Sequence, residues 1–137
     1  MFTRRAIFSI CALALAAGSG GIPAYAQDTI KVGLILPMTG PFASTGRQIE
    51  AAVKLYMAEN GATVAGKKIE VILKDDTNVA DTTKRLAQEL IVNDGVKVIA
   101  GFGLTPLALA AAPIATQAKV PEIVMAAGTS IITERSP

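Results

Sequence analysis

The chain has 137 residues, 51% of them hydrophobic and 18% charged, with 12 glycines and 7 prolines set between apolar runs. That composition excludes intrinsic disorder and a collagen-like repeat, and predicts a buried core. Histidine and tryptophan are absent and the lone cysteine is Cys11, within a segment that reads as a leader, so a mature disulfide, thiolate, imidazole base or Cys/His zinc site is excluded.

Residues 1–26 read as an export signal. Arg4 and Arg5 form a basic start, Ala6 to Ala17 are uncharged and apolar, and Ala24-Tyr25-Ala26 supplies the small residues of a cleavage site before Gln27. The apolar stretch is shorter than the roughly 20 residues that span a bilayer, and Gly18, Gly20, Gly21 and Pro23 follow it directly, which favours soluble export over an anchor. Cys11 follows Ile10 rather than a small residue, which disfavours lipidation. Without Arg4 and Arg5, eleven basic residues face eleven acidic ones. A formally neutral mature chain has no electrostatic case for nucleic acid.

Residues 27–137 read as one lobe, or part of one, of alternating strands and helices. Ile30 to Leu36 forms a buried strand and Pro37 to Gly46 a turn-rich loop; a helix follows from about Arg47 to Asn60, with Ser44 or Thr45 as cap and Gly61 as stop. Gly61 to Lys68 reads as a turn, Ile69 to Leu73 as a strand nearer the sheet edge, and Ala80 to Asn93 as a helix with Asp81 at its positive end. Val96 to Ala100 is the third strand, Gly101 to Leu104 a tight loop, and Thr105-Pro106 a cap and first turn for a helix to about Ala118, kinked at Pro113. Val120 to Met125 is the fourth strand and Ala126 to Ser130 a small-residue loop, after which the pattern reads as unfinished. This alternation predicts a doubly wound α/β fold with a parallel sheet covered on both faces.

Ligands of such sheets bind at the carboxyl ends of the strands, where strand order reverses and helix N-termini present N–H groups. In the first loop, Gly40 and Gly46 enclose five residues and precede Arg47-Gln48, which fits neither a Walker loop nor a dinucleotide fingerprint. Thr45 is the candidate contact there, with simple helix capping as the alternative. Thr105 combines a hydroxyl with a helix start, a cradle for a carboxylate, although many Thr-Pro pairs are caps only. The loop at Ala126 to Ser130 offers accessible backbone and the hydroxyls of Thr129 and Ser130. Asp75 and Asp76 are adjacent at a strand end, point in opposite directions, and read as a solvated loop with no chemistry.

The ordered set IKVGLILPMTGPFASTGRQIEAAVKLYMAENG, IEVILKDDTN, LIVNDGVKVIAG and VPEIVMAAGTS, behind an export signal, resembles the leucine/isoleucine/valine-binding family of periplasmic solute receptors. The resemblance covers the whole mature segment. It implies an ABC-importer substrate-binding protein with the two-lobe type I periplasmic binding fold, this chain supplying the N-terminal part of one lobe. By position, it places a ligand carboxylate against Thr105, where the family commonly has Ser, and against Ala127, Gly128 and Thr129. Thr45 stands where some relatives carry an aromatic residue, which leaves room for a ligand other than an aliphatic amino acid; Phe102 is expected to supply apolar surface, and Leu104 completes the contact set. The resemblance implies an amino acid or related small carboxylate as ligand, amides and aromatic acids included. It further implies an inner-membrane ABC permease as partner, a monomer when complete, no cofactor, no metal and no covalent chemistry. Two other readings remain: a ligand-sensing domain of a receptor or regulator, and a truncated fragment without function. A flavodoxin-like enzyme is disfavoured by the unmatched first loop and the missing His and Cys.

Overall fold

A computed structural model describes residues 28–134 of the chain. The leader expected at 1–26, its cleavage before Gln27, and Cys11 lie outside the described residues.

The elements run β1 (Thr29–Leu36), α1 (Ala43–Asn60), β2 (Thr63–Val64), β3 (Lys67–Asp75), α2 (Ala80–Val92), β4 (Val98–Gly101), α3 (Thr105–Ala118), β5 (Glu122–Val124) and a short α4 (Ile131–Glu134). They build one five-stranded sheet in the order β2-β3-β1-β4-β5. β1 pairs in parallel with β3 from Thr29↔Lys68 to Leu36↔Asp75 and with β4 from Val32↔Val98 to Ile35↔Gly101, and β4 pairs in parallel with β5.

Both faces of the sheet are covered, as the apolar strands require. On one face Ile35 and Ile99 pack with Leu86, Ala87 and Leu90 of α2 and with Ala108, Ala111 and Ala115 of α3. On the other, Leu34, Leu36 and Ala100 meet Ile49 and Val53 of α1, with Val71 and Leu73 of β3. Successive residues of β1 serve opposite faces, the period-two rule of a strand. α1 thus lies on the face opposite α2 and α3, and the expected doubly wound α/β architecture is observed.

Several local expectations need correction. The turn expected at 61–68 contains β2, which pairs antiparallel with β3 through Thr63↔Lys68 and Val64↔Lys67. Ala65 and Gly66 both have positive φ (50° and 78°), the geometry of a two-residue type I′ hairpin, and β2 thereby shields the outer edge of β3. α1 starts at Ala43, a full turn before Arg47, so Ser44, Thr45 and Gly46 are helical and no side chain caps the helix. α3 starts at Thr105 with Leu104 as the uncapped N-cap residue. The helix runs through Pro113 to Ala118 and ends on Lys119 in the left-handed conformation, whose N–H bonds to the Thr116 carbonyl at 3.0 Å.

β5 is the last strand of the described sheet. Ile123 in the strand and Met125 just beyond it are 53% and 47% exposed. Glu122 is half-buried, both carboxylate oxygens lack a hydrogen-bond partner among the described residues, and burial pushes its pKa up to about 7.

Candidate functional site

The chain leaves the carboxyl ends of neighbouring β1 and β4 toward opposite faces, into α1 and α3 respectively. This is the topological switch point of the sheet, where the two diverging loops leave a crevice.

Pro37 is the wedge that sets the crevice walls. It is fully buried just after β1. A Cβ built on Gly46 would lie 2.1 Å from the Pro37 carbonyl oxygen, and one built on Gly103 would lie 2.8 Å from the Pro37 ring. Only glycine permits approaches this close, so the first turn of α1 and the loop before α3 are both seated on one proline. The first turn of α1 closes with Thr45 and Gly46 donating to the Phe42 carbonyl at 3.0 and 3.3 Å.

At the start of α3, Leu107 and Ala108 turn their N–H groups back to the Leu104 carbonyl at 3.1 and 3.3 Å, and Pro106 has no N–H. Thr105 is half-buried, and neither its N–H nor its hydroxyl makes a hydrogen bond among the described residues. The alternative in which Thr105 is spent as a helix cap is therefore not what the chain does. One turn of helix presents an uncommitted hydroxyl and N–H at the positive end of the helix dipole.

The segment after β5 is tied to the last residue of β4 and to the first residue beyond it by two backbone hydrogen bonds. Met125 donates to Gly101 at 2.8 Å and Ala127 to Phe102 at 3.2 Å. This brings Ala127, Gly128 and Thr129 alongside the approach to α3. Ala127 and Thr129 are half-buried and Gly128 is exposed. A Cβ on Gly128 would meet nothing within 4 Å, so open space lies beside that backbone. Thr129 is partly engaged, its hydroxyl accepting a 3.4 Å bond from the Ile131 N–H at the start of α4.

The expectation for Phe102 needs revision. The residue is 0% exposed, and its ring belongs to the core packed on α2 and α3 rather than to the crevice. Its φ of 65° turns the chain sharply, its N–H donates to Ile35 at 2.9 Å and its carbonyl accepts from Ala127. The side chain is therefore enclosed in the core and not exposed beside the loops. Leu104 remains half-buried at the crevice, and Thr45 is half-buried in the first turn of α1 with no hydrogen bond from its hydroxyl among the described residues.

The reading of Asp75 and Asp76 as a solvated loop is also overturned. Asp75 Oδ1 accepts from the N–H groups of Met38 and Thr77, both at 2.9 Å, and Oδ2 from the Thr39 hydroxyl at 2.8 Å. Desolvation works to raise its pKa, but the hydrogen bonds from Thr77, Thr39 and Met38 prevail and hold it below the usual carboxylate value. Asp76 points the other way and is 0% exposed. Desolvation, aided by the neighbouring Asp75 charge, raises its pKa against one bond from the Asn78 N–H at 2.9 Å. Adjacent residues do diverge, as expected, but each has a fixed role: Asp75 reaches Met38, 37 residues away in sequence, and Thr39, 36 away, while Asp76 holds the N–H of Asn78 in its own loop.

No group of three or more His, Cys, Asp or Glu placed to hold a metal occurs among the described residues, and no helix there is long and apolar enough to cross a membrane.

Comparison with known proteins accords with the fold. The sequence model of the periplasmic binding protein family matches residues 29–137. A solute binding protein of an ABC transporter from Rhodopseudomonas palustris BisB5, crystallised in complex with 3,4-dihydroxybenzoic acid, is 78% identical with a TM-score of 0.79; the match covers 81% of this chain and 31% of that one. Another from R. palustris, in complex with 4-hydroxybenzoate, is 45% identical with a TM-score of 0.77, covering 80% of this chain and 30% of that one. Among curated proteins, Leu/Ile/Val-binding protein homolog 6 of Brucella suis biovar 1 is 43% identical over 136 residues, which are 98% of this chain and 32% of that protein. The chain spans about a third of the length of the relatives it matches.

Proposed function

This chain belongs to the periplasmic binding protein family, and we propose that it is the first part of the ligand-receiving lobe of an ABC-importer solute receptor. The ligand proposed is an aromatic carboxylate of the hydroxybenzoate class. The observation that carries this is Thr105: a hydroxyl and N–H with no other partner among the described residues, at the positive end of α3, beside the open backbone of 127–129. That arrangement suits a carboxylate, which takes several N–H and O–H donors at once. The small Thr45 in the first turn of α1 leaves width for a ring, and the 78% identical relative holds 3,4-dihydroxybenzoic acid.

In this reading the carboxylate docks on the lobe first. A second lobe then closes over the ring, and the closed form is what an inner-membrane permease recognises. The residues of this chain bind and orient; none performs a covalent step. Export by a signal cleaved before Gln27 and a periplasmic location belong to the same proposal.

The test is calorimetric titration of the full-length protein with 4-hydroxybenzoate, 3,4-dihydroxybenzoate, benzoate and leucine. Binding of the hydroxybenzoates at least tenfold tighter than leucine is expected. Preference for leucine would return the ligand to the branched-chain amino acids that the name of the Brucella relative specifies.

A further inference from the structure

The loop between β1 and α1 carries Thr39 and leads into the turn that presents Thr45, yet ahead of that turn the loop's only backbone bond among the described residues is the one Gly40 accepts from the Ala43 N–H at 3.2 Å. What fixes it comes from the loop after β3. The Asp75 carboxylate takes the Met38 N–H and the Thr39 hydroxyl, and Asn78 Nδ2 donates to the Thr39 carbonyl at 3.0 Å. The clasp is itself held in an uncommon conformation. Thr77 and Asn78 both have left-handed φ, 52° and 61°, and Thr is a β-branched residue that seldom adopts it. Asp75 Oδ1 holds the first of these through the Thr77 N–H, and Asp76 Oδ1 holds the second through the Asn78 N–H. Strain of this kind persists where surrounding bonds over-determine it.

We infer that Asp75 is a positioning residue for ligand capture: its carboxylate, reaching from the end of β3, holds the β1–α1 loop so that the first turn of α1 faces the crevice in a binding-ready position. This rests on the proposed ligand-binding role of the crevice. Asp75 does not touch the ligand in this account; it acts through Met38 and Thr39.

The test compares Asp75→Ala, Asp75→Asn, Thr39→Val and a core control, Leu86→Ala, in the full-length protein. Two readouts are taken: affinity for 4-hydroxybenzoate, and amide hydrogen exchange of residues 38–46 without ligand. Asp75→Asn keeps an oxygen for the Met38 and Thr77 N–H groups, and the Thr39 hydroxyl can rotate to accept from the new amide. The expected results are a loss of affinity of about tenfold or more for Asp75→Ala, within about threefold for Asp75→Asn, and a smaller loss in the same direction for Thr39→Val. Leu86→Ala should lower the melting temperature while leaving affinity unchanged. Faster exchange at 38–46 should occur in Asp75→Ala but not in Leu86→Ala. If Asp75→Ala alters affinity no more than Leu86→Ala does, the inference is overturned. If the wild-type protein binds no aromatic carboxylate, the ligand reading fails and the exchange arm decides alone. Acceleration confined to Asp75→Ala then upholds the clasp, and unchanged exchange removes it.

Discussion

Gly46→Ala separates two physical effects of opposite sign. By helix propensity alone, replacing a glycine inside α1 with alanine stabilises by about 1 kcal/mol. The structure opposes this, because the new methyl would sit 2.1 Å from the Pro37 carbonyl oxygen, 2.8 Å from its carbon and 3.1 Å from Met38 Sδ. A relaxed carbon–oxygen contact is about 3.3 Å or more, so one partner must move by roughly 1 Å. Pro37 cannot easily be the one to move, since it is fully buried and its ring is closely approached by Gly103. Overpacking of this kind costs about 1–3 kcal/mol, and rigid backbone on the receiving side argues for the upper end. The net expectation is destabilisation by about 2 kcal/mol, read in urea denaturation as a lower midpoint at unchanged m-value. Ligand affinity should fall as well, because α1 would be displaced from the wedge. A neutral or stabilising Gly46→Ala would refute the claim that Pro37 fixes both walls of the crevice.

Other substitutions divide binding from stability. Thr105→Ala should leave stability within about 0.5 kcal/mol, because the hydroxyl has no partner to lose among the described residues, while costing about 1.5–3 kcal/mol of ligand binding, or roughly ten- to hundredfold in Kd by calorimetry. Gly128→Ala meets no atom within 4 Å and should likewise melt as wild type, but its methyl should obstruct a ligand carboxylate and weaken affinity. Glu122 governs a pH effect: its folded pKa of about 7 lies above the unfolded value near 4.5, so the folded state holds its proton more tightly. The stability it confers is full below about pH 4.5 and is lost as pH rises toward 7. Thermal melts of this chain across that range should show a decline that Glu122→Gln lacks, and identical slopes would show that Glu122 is ionised and solvated.

The alternation of strands and helices is legible in the sequence because it rests on local periodicity and stop signals such as Gly61. The carboxyl ends of strands, and therefore Thr105 and the 127–129 loop, follow from that order alone. What escapes the sequence is decided by contacts distant along the chain. Gly46 reads as a loop residue, but it is a helical residue made small by Pro37. The hairpin at 63–68 lacks the Asn-Gly or Asp-Gly signal, with Ala65 taking a left-handed φ that alanine seldom adopts. Phe102 reads as a crevice residue by position, but its positive φ turns the ring into the core. Asp75 reads as solvated because its partners, Met38 and Thr39, belong to another strand's loop, and nothing in its local sequence reports a contact 36 to 37 residues away.

The most direct test of the central claim is a crystal structure of the full-length protein with 4-hydroxybenzoate bound. The expected result is a ligand carboxylate within hydrogen-bond distance of the Thr105 hydroxyl and N–H and of the 127–129 backbone, with the ring extending toward Thr45. A carboxylate held elsewhere, with Thr105 uncontacted, would contradict it.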